Sequence, residues 1–133
     1  MKKKRTVGII LITLIMVFMI TGCSKYKSQY NAVGFVHSNT SKSAFMDFYS
    51  FKGQMVFTVK CKEGGSIDYS AKLEKGNLTV YYDCDGTKQE LLRISGGEKV
   101  SSSLENLPKG EVYIIVKTDG KCTNGALEFD VRK

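Results

Sequence analysis

Apolar and polar residues alternate with a period of two along most of this chain. The alternation is clearest in segments 54–62, 66–74 and 77–83, where every second side chain is apolar. Such alternation predicts β-strands that bury one face and expose the other. Segment 111–117 is almost continuously apolar and predicts a central strand, whereas 126–132 predicts a closing strand that alternates again.

Turn signals separate the strand segments. The pair at 75–76, Lys-Gly, predicts a tight hairpin in which Leu73 faces Leu78 and inward residues meet inward residues along both strands. The pair at 85–86, Asp-Gly, predicts a second hairpin that leads into a strand at 89–94.

Two segments are less regular. Thr87 and Glu90 have the spacing of a helix capping box, although the strong turn before them and the breaker at 95–97 favour a strand. Segment 101–107 is compatible with a strand or with a helical turn. The mature chain therefore holds seven or eight short strands and no long helix. This pattern predicts an all-β fold, a small antiparallel β-sandwich.

The end of the chain supports the same fold. A Gly-x-Tyr-x-Ile-x-Val-like strand at 110–116 precedes a Gly-x-x-x-Phe strand at 125–129. This pair resembles the last hairpin of jelly-roll and carbohydrate-module-type sandwiches. The resemblance implies a fold and assigns no functional residue.

The first 23 residues have the order of an export signal. A basic head at 2–5 precedes an apolar run at 7–20, and the segment closes with Ile-Thr-Gly22-Cys23. The run is shorter than the roughly 20 residues that span a bilayer, and no A-x-A-like cleavage site of an ordinary secretory signal follows. The closing tetrapeptide resembles the lipobox of bacterial lipoproteins.

The lipobox resemblance implies a location. It implies cleavage of the signal helix between Gly22 and Cys23 and a diacylglyceryl group with palmitate-type chains on Cys23. Two acyl chains anchor a protein stably where one does not. We therefore expect a lipoprotein held at the cell membrane on its extracytoplasmic face. The expected domains are a signal peptide (1–22), a lipidated N-terminus and flexible Ser/Asn/Lys-rich tether (23–43), and the β-sandwich (44–133). Within the tether, the apolar island at 32–36 is compatible with an edge strand that docks on the sandwich.

Charge narrows the range of partners. The formal charge is +7, but four of the 20 basic residues lie in the signal, which leaves 16 against 13 acids, or +3. The remaining charges are interspersed, so there is no basic patch of the kind that binds nucleic acid. The expected partners are the membrane, through the lipid, and an envelope protein or polysaccharide.

Three cysteines remain after Cys23. An odd number allows at most one bridge within the chain. Cys61 and Cys84 are expected two strands, or about 9.5 Å, apart, beyond the roughly 7 Å between Cα atoms that a disulfide tolerates. The candidate disulfide therefore joins Cys122 to either Cys84 or Cys61. The cysteine spacings and the single histidine give no metal site.

The chemistry of an enzyme is missing from the pattern. His37 is the one histidine and lies in the expected tether, where it is poorly placed as a catalytic base. Asp83-x-Asp85-Gly86 has only the opening of a calcium loop, and a hairpin turn explains the same residues. We therefore expect no enzyme activity, metal or cofactor.

The expected function is that of a non-catalytic binding or structural module, with a carbohydrate- or small-solute-binding lipoprotein as the alternative. The candidate binding face consists of outward residues on two neighbouring strands. These are Ser70, Lys72, Thr79 and Tyr81. An exposed tyrosine among hydroxyl and amine groups is suited to contact a sugar or a protein.

Overall fold

The computed structural model describes residues 26–132, which form nine antiparallel β-strands. The strands are β1 (Gln29–Val33), β2 (Val36–Asn39), β3 (Ser43–Cys61), β4 (Gly65–Lys75), β5 (Asn77–Asp83), β6 (Gln89–Ser95), β7 (Glu98–Leu107), β8 (Gly110–Thr118) and β9 (Cys122–Val131). The predicted all-β class is confirmed. Among the described residues there is no helix with the length and apolarity needed to cross a bilayer.

Pairs of strands that lie end to end form long, bent ribbons, and these ribbons build the sandwich. The first half of β3 pairs with β9 and its second half pairs with β8, so β8 and β9 run end to end along β3. In the same way, β5 and β4 lie end to end beyond them, and β6 and β7 form the last ribbon. The ribbons therefore make two four-stranded halves, β6-β5-β8-β3 and β3-β9-β4-β7.

The two halves pack face to face around one core. Alternate residues of each strand point inward, and the rings of Phe57 on β3 and Phe129 on β9 lie 6.4 Å apart. The largest fully buried side chains are Phe48, Phe51, Phe57, Phe129, Met46, Ile67, Leu78, Ile94, Ile114, Ile115, Leu127 and Val59. This arrangement confirms the predicted antiparallel β-sandwich.

Glycines occupy the corners where the ribbons bend. Gly53 within β3 has φ +130°, and Gly76 between β4 and β5 has φ +106°. A Cβ on Gly53 would overlap the carbonyl oxygen of Gln29, and one on Gly76 would lie 2.8 Å from Cys122 Sγ. The ribbons therefore bend where the backbones approach most closely, and only glycine leaves room for that approach.

The predicted hairpin at Lys75-Gly76 is wrong. Leu73 pairs with Gly125 and Glu98 rather than with Leu78, because β4 and β5 enter different halves of the sandwich. The last two strands, β8 and β9, likewise do not pair with each other as a hairpin, since each pairs with β3. The hairpin at 85–86 is confirmed by the pairing of β5 with β6, and the ambiguous segment 101–107 is strand.

The expectation of a flexible tether does not hold for residues 29–39. β1 and β2 pair with residues 44–54 of β3, along the edge of that strand opposite to β8 and β9. The Tyr30 ring stacks on Phe51 at 5.0 Å, and Phe35 packs edge-on against Phe51 at 5.3 Å. These aromatic contacts order residues 29–39 despite their polar composition, so the sandwich begins before residue 44. Gly22 and Cys23 lie outside the described residues.

Candidate functional site

The outer face of the β3-β9-β4-β7 half carries three rows of side chains that cross all four strands. We call it the groove face. In the first row, the strand register places Asp47 beside Ala126, Ala126 beside Lys72, and Lys72 beside Lys99. The second and third rows are Phe45, Glu128, Ser70 and Ser101, then Ser43, Asp130, Asp68 and Ser103. With strands about 4.8 Å apart, the face spans about 14 Å across the strands.

These rows form one open groove. Three depressions with volumes of about 390, 470 and 340 Å³ lie along the groove face. The first and second share Asp47, Lys72 and Lys99, and the second and third share Ser101 and Glu128. Because neighbouring depressions have walls in common, a single elongated ligand could contact all three.

The groove is acidic. Six carboxylates line the three depressions, namely Asp47, Asp68, Glu74, Glu98, Glu128 and Asp130, against Lys72 and Lys99. At its far end, a hydrogen bond of 2.6 Å from Ser103 Oγ lowers the pKa of Asp68, and Arg132 Nε lies 2.7 Å from the same oxygen. The groove therefore carries an excess of negative charge that disfavours anionic ligands.

The structure divides the four residues of the candidate binding face. Ser70 and Lys72 lie in the groove. Thr79 and Tyr81 lie on β5, whose outer face belongs to the other half of the sandwich. Sequence reasoning missed Asp47 and the remaining groove residues, because they become neighbours only through the non-local pairing of β9 with β3 and β4.

The outer face of the β6-β5-β8-β3 half carries Tyr81 and Tyr113 and is mostly half-buried. We call it the tyrosine face. Ile115 on β8 lies beside Val56 and Tyr81 and is fully buried, although it points away from the main core. The Lys88 ammonium lies 4.7 Å from the centre of the Tyr81 ring. This face is closed by its own side chains, in contrast to the open groove face.

The three cysteines within residues 26–132 are free thiols, so the candidate disulfide of Cys122 with Cys84 or Cys61 is wrong. Cys122 pairs with Phe51, ten residues (51 to 61) from Cys61 along β3, or roughly 30 Å. It also lies beside Asn77, seven residues (77 to 84) from Cys84, or roughly 23 Å. Both distances exceed the reach of a disulfide.

The thiols are poor nucleophiles. Burial raises the pKa of Cys61, Cys84 and Cys122 above the ordinary thiol value, and the charge of Cys84 adds to the effect on Cys61. A raised pKa keeps each sulfur in the protonated form near neutral pH, and only the thiolate attacks electrophiles or binds metals.

Asp83 closes a turn. Its Oδ1 accepts hydrogen bonds from the backbone N–H of Asp85 at 3.2 Å and of Gly86 at 2.7 Å, and its Oδ2 accepts one from the Tyr26 hydroxyl at 2.6 Å. Asp83 as a whole is 2% exposed. Within residues 26–132, no cluster of three or more His, Cys, Asp or Glu side chains could hold a metal ion.

His37 lies on β2 rather than on a free tether. Its ring is stacked on Phe35 with 4.8 Å between the ring centres and 25° between the planes. Phe35 in turn contacts Tyr30 and Phe51. The histidine is therefore one end of an aromatic row that holds the N-terminal strands against β3.

The chain resembles several solved structures in fold. TmCBM61 in complex with β-1,4-galactotriose aligns with a TM-score of 0.49 at 13% identity, over 80% of this chain and 88% of that one. PliG from Aeromonas hydrophila, a periplasmic inhibitor of g-type lysozyme, aligns with a TM-score of 0.48 at 16% identity, over 69% and 88%. The pre-peptidase C-terminal domain of a Bacillus anthracis collagenase aligns with a TM-score of 0.47 at 18% identity, over 71% and 91%. No protein-family model and no curated protein matches the sequence.

Proposed function

We propose that this chain is a lipid-anchored, extracytoplasmic binding module without catalytic activity, and that its groove face binds a polysaccharide of the cell envelope. The observation that carries the proposal is the open groove formed by three confluent depressions. The lipobox-like Gly22-Cys23 is the basis for the anchor.

The chemistry of the described side chains supports a binding role. The three thiols are held protonated by burial, and His37 is engaged in the aromatic row on β2. The groove serines lie in regular strand ladders, where they present hydroxyl groups to a ligand. None of these groups is arranged as a nucleophile with a neighbouring base.

The groove lining suits a neutral sugar chain. Carboxylates accept hydrogen bonds from sugar hydroxyl groups, and serine hydroxyls both donate and accept them. Ser70, Ser101 and Glu128 lie side by side in the second row. Half-buried Phe45 and Ala126 give the groove an apolar floor on which the carbon face of a sugar ring could rest. The carboxylates would repel an anionic polymer.

A basic segment of an envelope protein is the second candidate. Six carboxylates line the groove against Lys72, Lys99 and the Arg132 that pairs with Asp68, and this net negative charge favours it. The two candidates differ in their response to salt, because attraction between exposed charges is screened at high ionic strength while hydrogen bonding to a neutral sugar is not.

Calorimetric titration of the Cys23→Ser chain with neutral wall polysaccharide, anionic wall polymer and poly-lysine tests the ligand. We expect the neutral glycan to bind at low and high salt. The double variant Ser70→Ala with Glu128→Gln should weaken binding at least about tenfold, equivalent to about 1.4 kcal/mol. The matched control is Thr79→Ala, on the opposite face. Poly-lysine binding that disappears with salt would favour the protein partner, and equal loss with the control would remove the groove from either proposal.

Cell fractionation tests the anchor. The Cys23→Ser variant should leave the membrane fraction, since the acyl chains supply the attachment. Replacement of Cys122 by serine is the control and should leave fractionation unchanged. If the Cys23→Ser chain stays with the membrane, the lipid anchor is wrong while the groove proposal is unaffected.

A further inference from the structure

Three successive residues fasten the start of the described chain to the tyrosine face. The Tyr26 hydroxyl donates to Asp83 at 2.6 Å, and its ring packs edge-on against Tyr113 at 5.4 Å. The Lys27 carbonyl accepts a hydrogen bond from the Gln54 side chain at 2.9 Å. Ser28 Oγ accepts one from the backbone N–H of Val56, also at 2.9 Å. We call this set the Tyr26 latch.

The latch persists across the physiological pH range. Burial, the hydrogen bond to Asp83 and the negative charge of that carboxylate raise the pKa of Tyr26 to about 12. The phenol therefore stays protonated and keeps donating to Asp83 well above neutral pH.

The latch lies very close to the proposed lipid. Cys23 is three residues before Tyr26 (23 to 26), and three extended residues span at most about 11 Å. A lipid on Cys23 must therefore sit within that distance of the tyrosine face. The groove face is on the other sheet, about 10 Å further away across the core.

Charge does not set the tyrosine face apart. Four exposed cations lie on it or beside it, namely Lys60, Lys88, Arg93 and Lys117. Four exposed acids do so too, namely Asp85, Glu90, Glu111 and Asp119, and Glu90 is paired with Arg93 at 3.0 Å. The short chain between Cys23 and the latch, rather than charge, therefore brings this face to the lipid, and the contact should not depend on anionic headgroups.

We infer that the Tyr26 latch holds the tyrosine face against the lipid headgroups and turns the groove face away from the membrane. The inference rests on the proposed lipid anchor at Cys23. The surface that the tyrosine face contacts is the lipid itself, and the groove stays open to the cell envelope.

Lysine labelling on vesicles tests the orientation. The processed, lipidated chain is placed on vesicles of phosphatidylcholine alone or with phosphatidylglycerol, and exposed amines are acetylated and quantified by peptide mass spectrometry. The Cys23→Ser chain in solution is the reference. We expect Lys60, Lys88 and Lys117 to lose reactivity on both vesicles, while Lys72 and Lys99 in the groove keep it.

Variants of Tyr26 test whether the latch is what orients the protein on the membrane. Tyr26→Ala removes both the hydrogen bond and the ring contact, so protection of the three lysines should fall towards the solution level while the protein still floats with vesicles. Tyr26→Phe keeps the ring and should give an intermediate loss. Tyr49→Ala is the control, since Tyr49 is 59% exposed on β3 and should leave the pattern unchanged.

The outcomes separate the two proposals. A wild-type chain that floats but is labelled evenly, or is protected at Lys72 and Lys99, overturns the orientation and leaves the anchor standing. A chain that is not acylated and does not float overturns the anchor and the orientation together. Protection that survives in Tyr26→Ala shows that the latch is not what orients the molecule.

Discussion

At the scale of single residues, burial decides what the thiols can do. Cys61 and Cys122 are buried, whereas Cys84 is half-buried. All three have a raised pKa because the charged sulfur would lose its hydration. Position and protonation therefore both protect the two core sulfurs from reaction.

Alkylation should follow this order. Near neutral pH we expect iodoacetamide to modify Cys84 first, and to modify Cys61 and Cys122 only at the rate of global unfolding. Peptide mass spectrometry over time gives the three rates, and Cys84→Ser should remove the fast phase. Fast modification of Cys122 in the folded protein would contradict its burial beneath the Gly76 corner.

Residue patterns predicted which side chains are buried but not which become neighbours. The inward positions of Ala71, Leu73 and Val80 follow from alternation alone and are confirmed. The row that joins Asp47 to Lys99 depends on β9 entering between β3 and β4, and alternation holds no information on that pairing. Ser70 and Lys72 of the candidate face therefore lie in the groove, while Thr79 and Tyr81 lie on the other half of the sandwich.

At the scale of elements, the corners explain why a hairpin was predicted where none exists. A tight hairpin and a ribbon corner both need a glycine with positive φ between two alternating strands. At Gly76 the choice is made by distant partners, since β4 pairs with β9 and β5 with β8. Local sequence cannot distinguish the two outcomes, because the turn residue is the same in both.

Glycine substitutions measure the close approach at the corners. Gly76→Ala and Gly53→Ala should each destabilise the fold by more than about 3 kcal/mol, because a methyl group would meet another backbone as well as strain φ. Gly120→Ala also falls at a positive φ, +80°, but has nothing within 4 Å of its added Cβ, and should cost only about 1–2 kcal/mol. Urea unfolding gives the three values, and equal losses would show that strain alone sets the cost.

At the scale of the whole molecule, the N-terminal strands are part of the body. Tyr30 and Phe35 cover Phe51, which is fully buried. Composition predicted a tether here because serine, asparagine and lysine are frequent, and a few aromatic contacts with a long partner strand were enough to order the segment.

Truncation tests the boundary of the body. A chain that begins at residue 44 loses β1 and β2, exposes Phe51 and leaves the edge of β3 unpaired. We expect it to unfold at clearly lower urea concentration than a chain that begins at residue 26, by several kcal/mol in free energy, and to aggregate through the exposed edge. Equal midpoints would mean that β1 and β2 contribute little to stability.

The positions of β8 and β9 determine when the sandwich can fold. Each lies in the interior of one half, between β5 and β3 or between β3 and β4, yet both come last in the sequence. A polypeptide delivered N-terminus first would hold only the flanking strands until residues 110–131 emerge. Folding of the sandwich must then wait for these two strands, because contacts so distant in sequence form late and slowly.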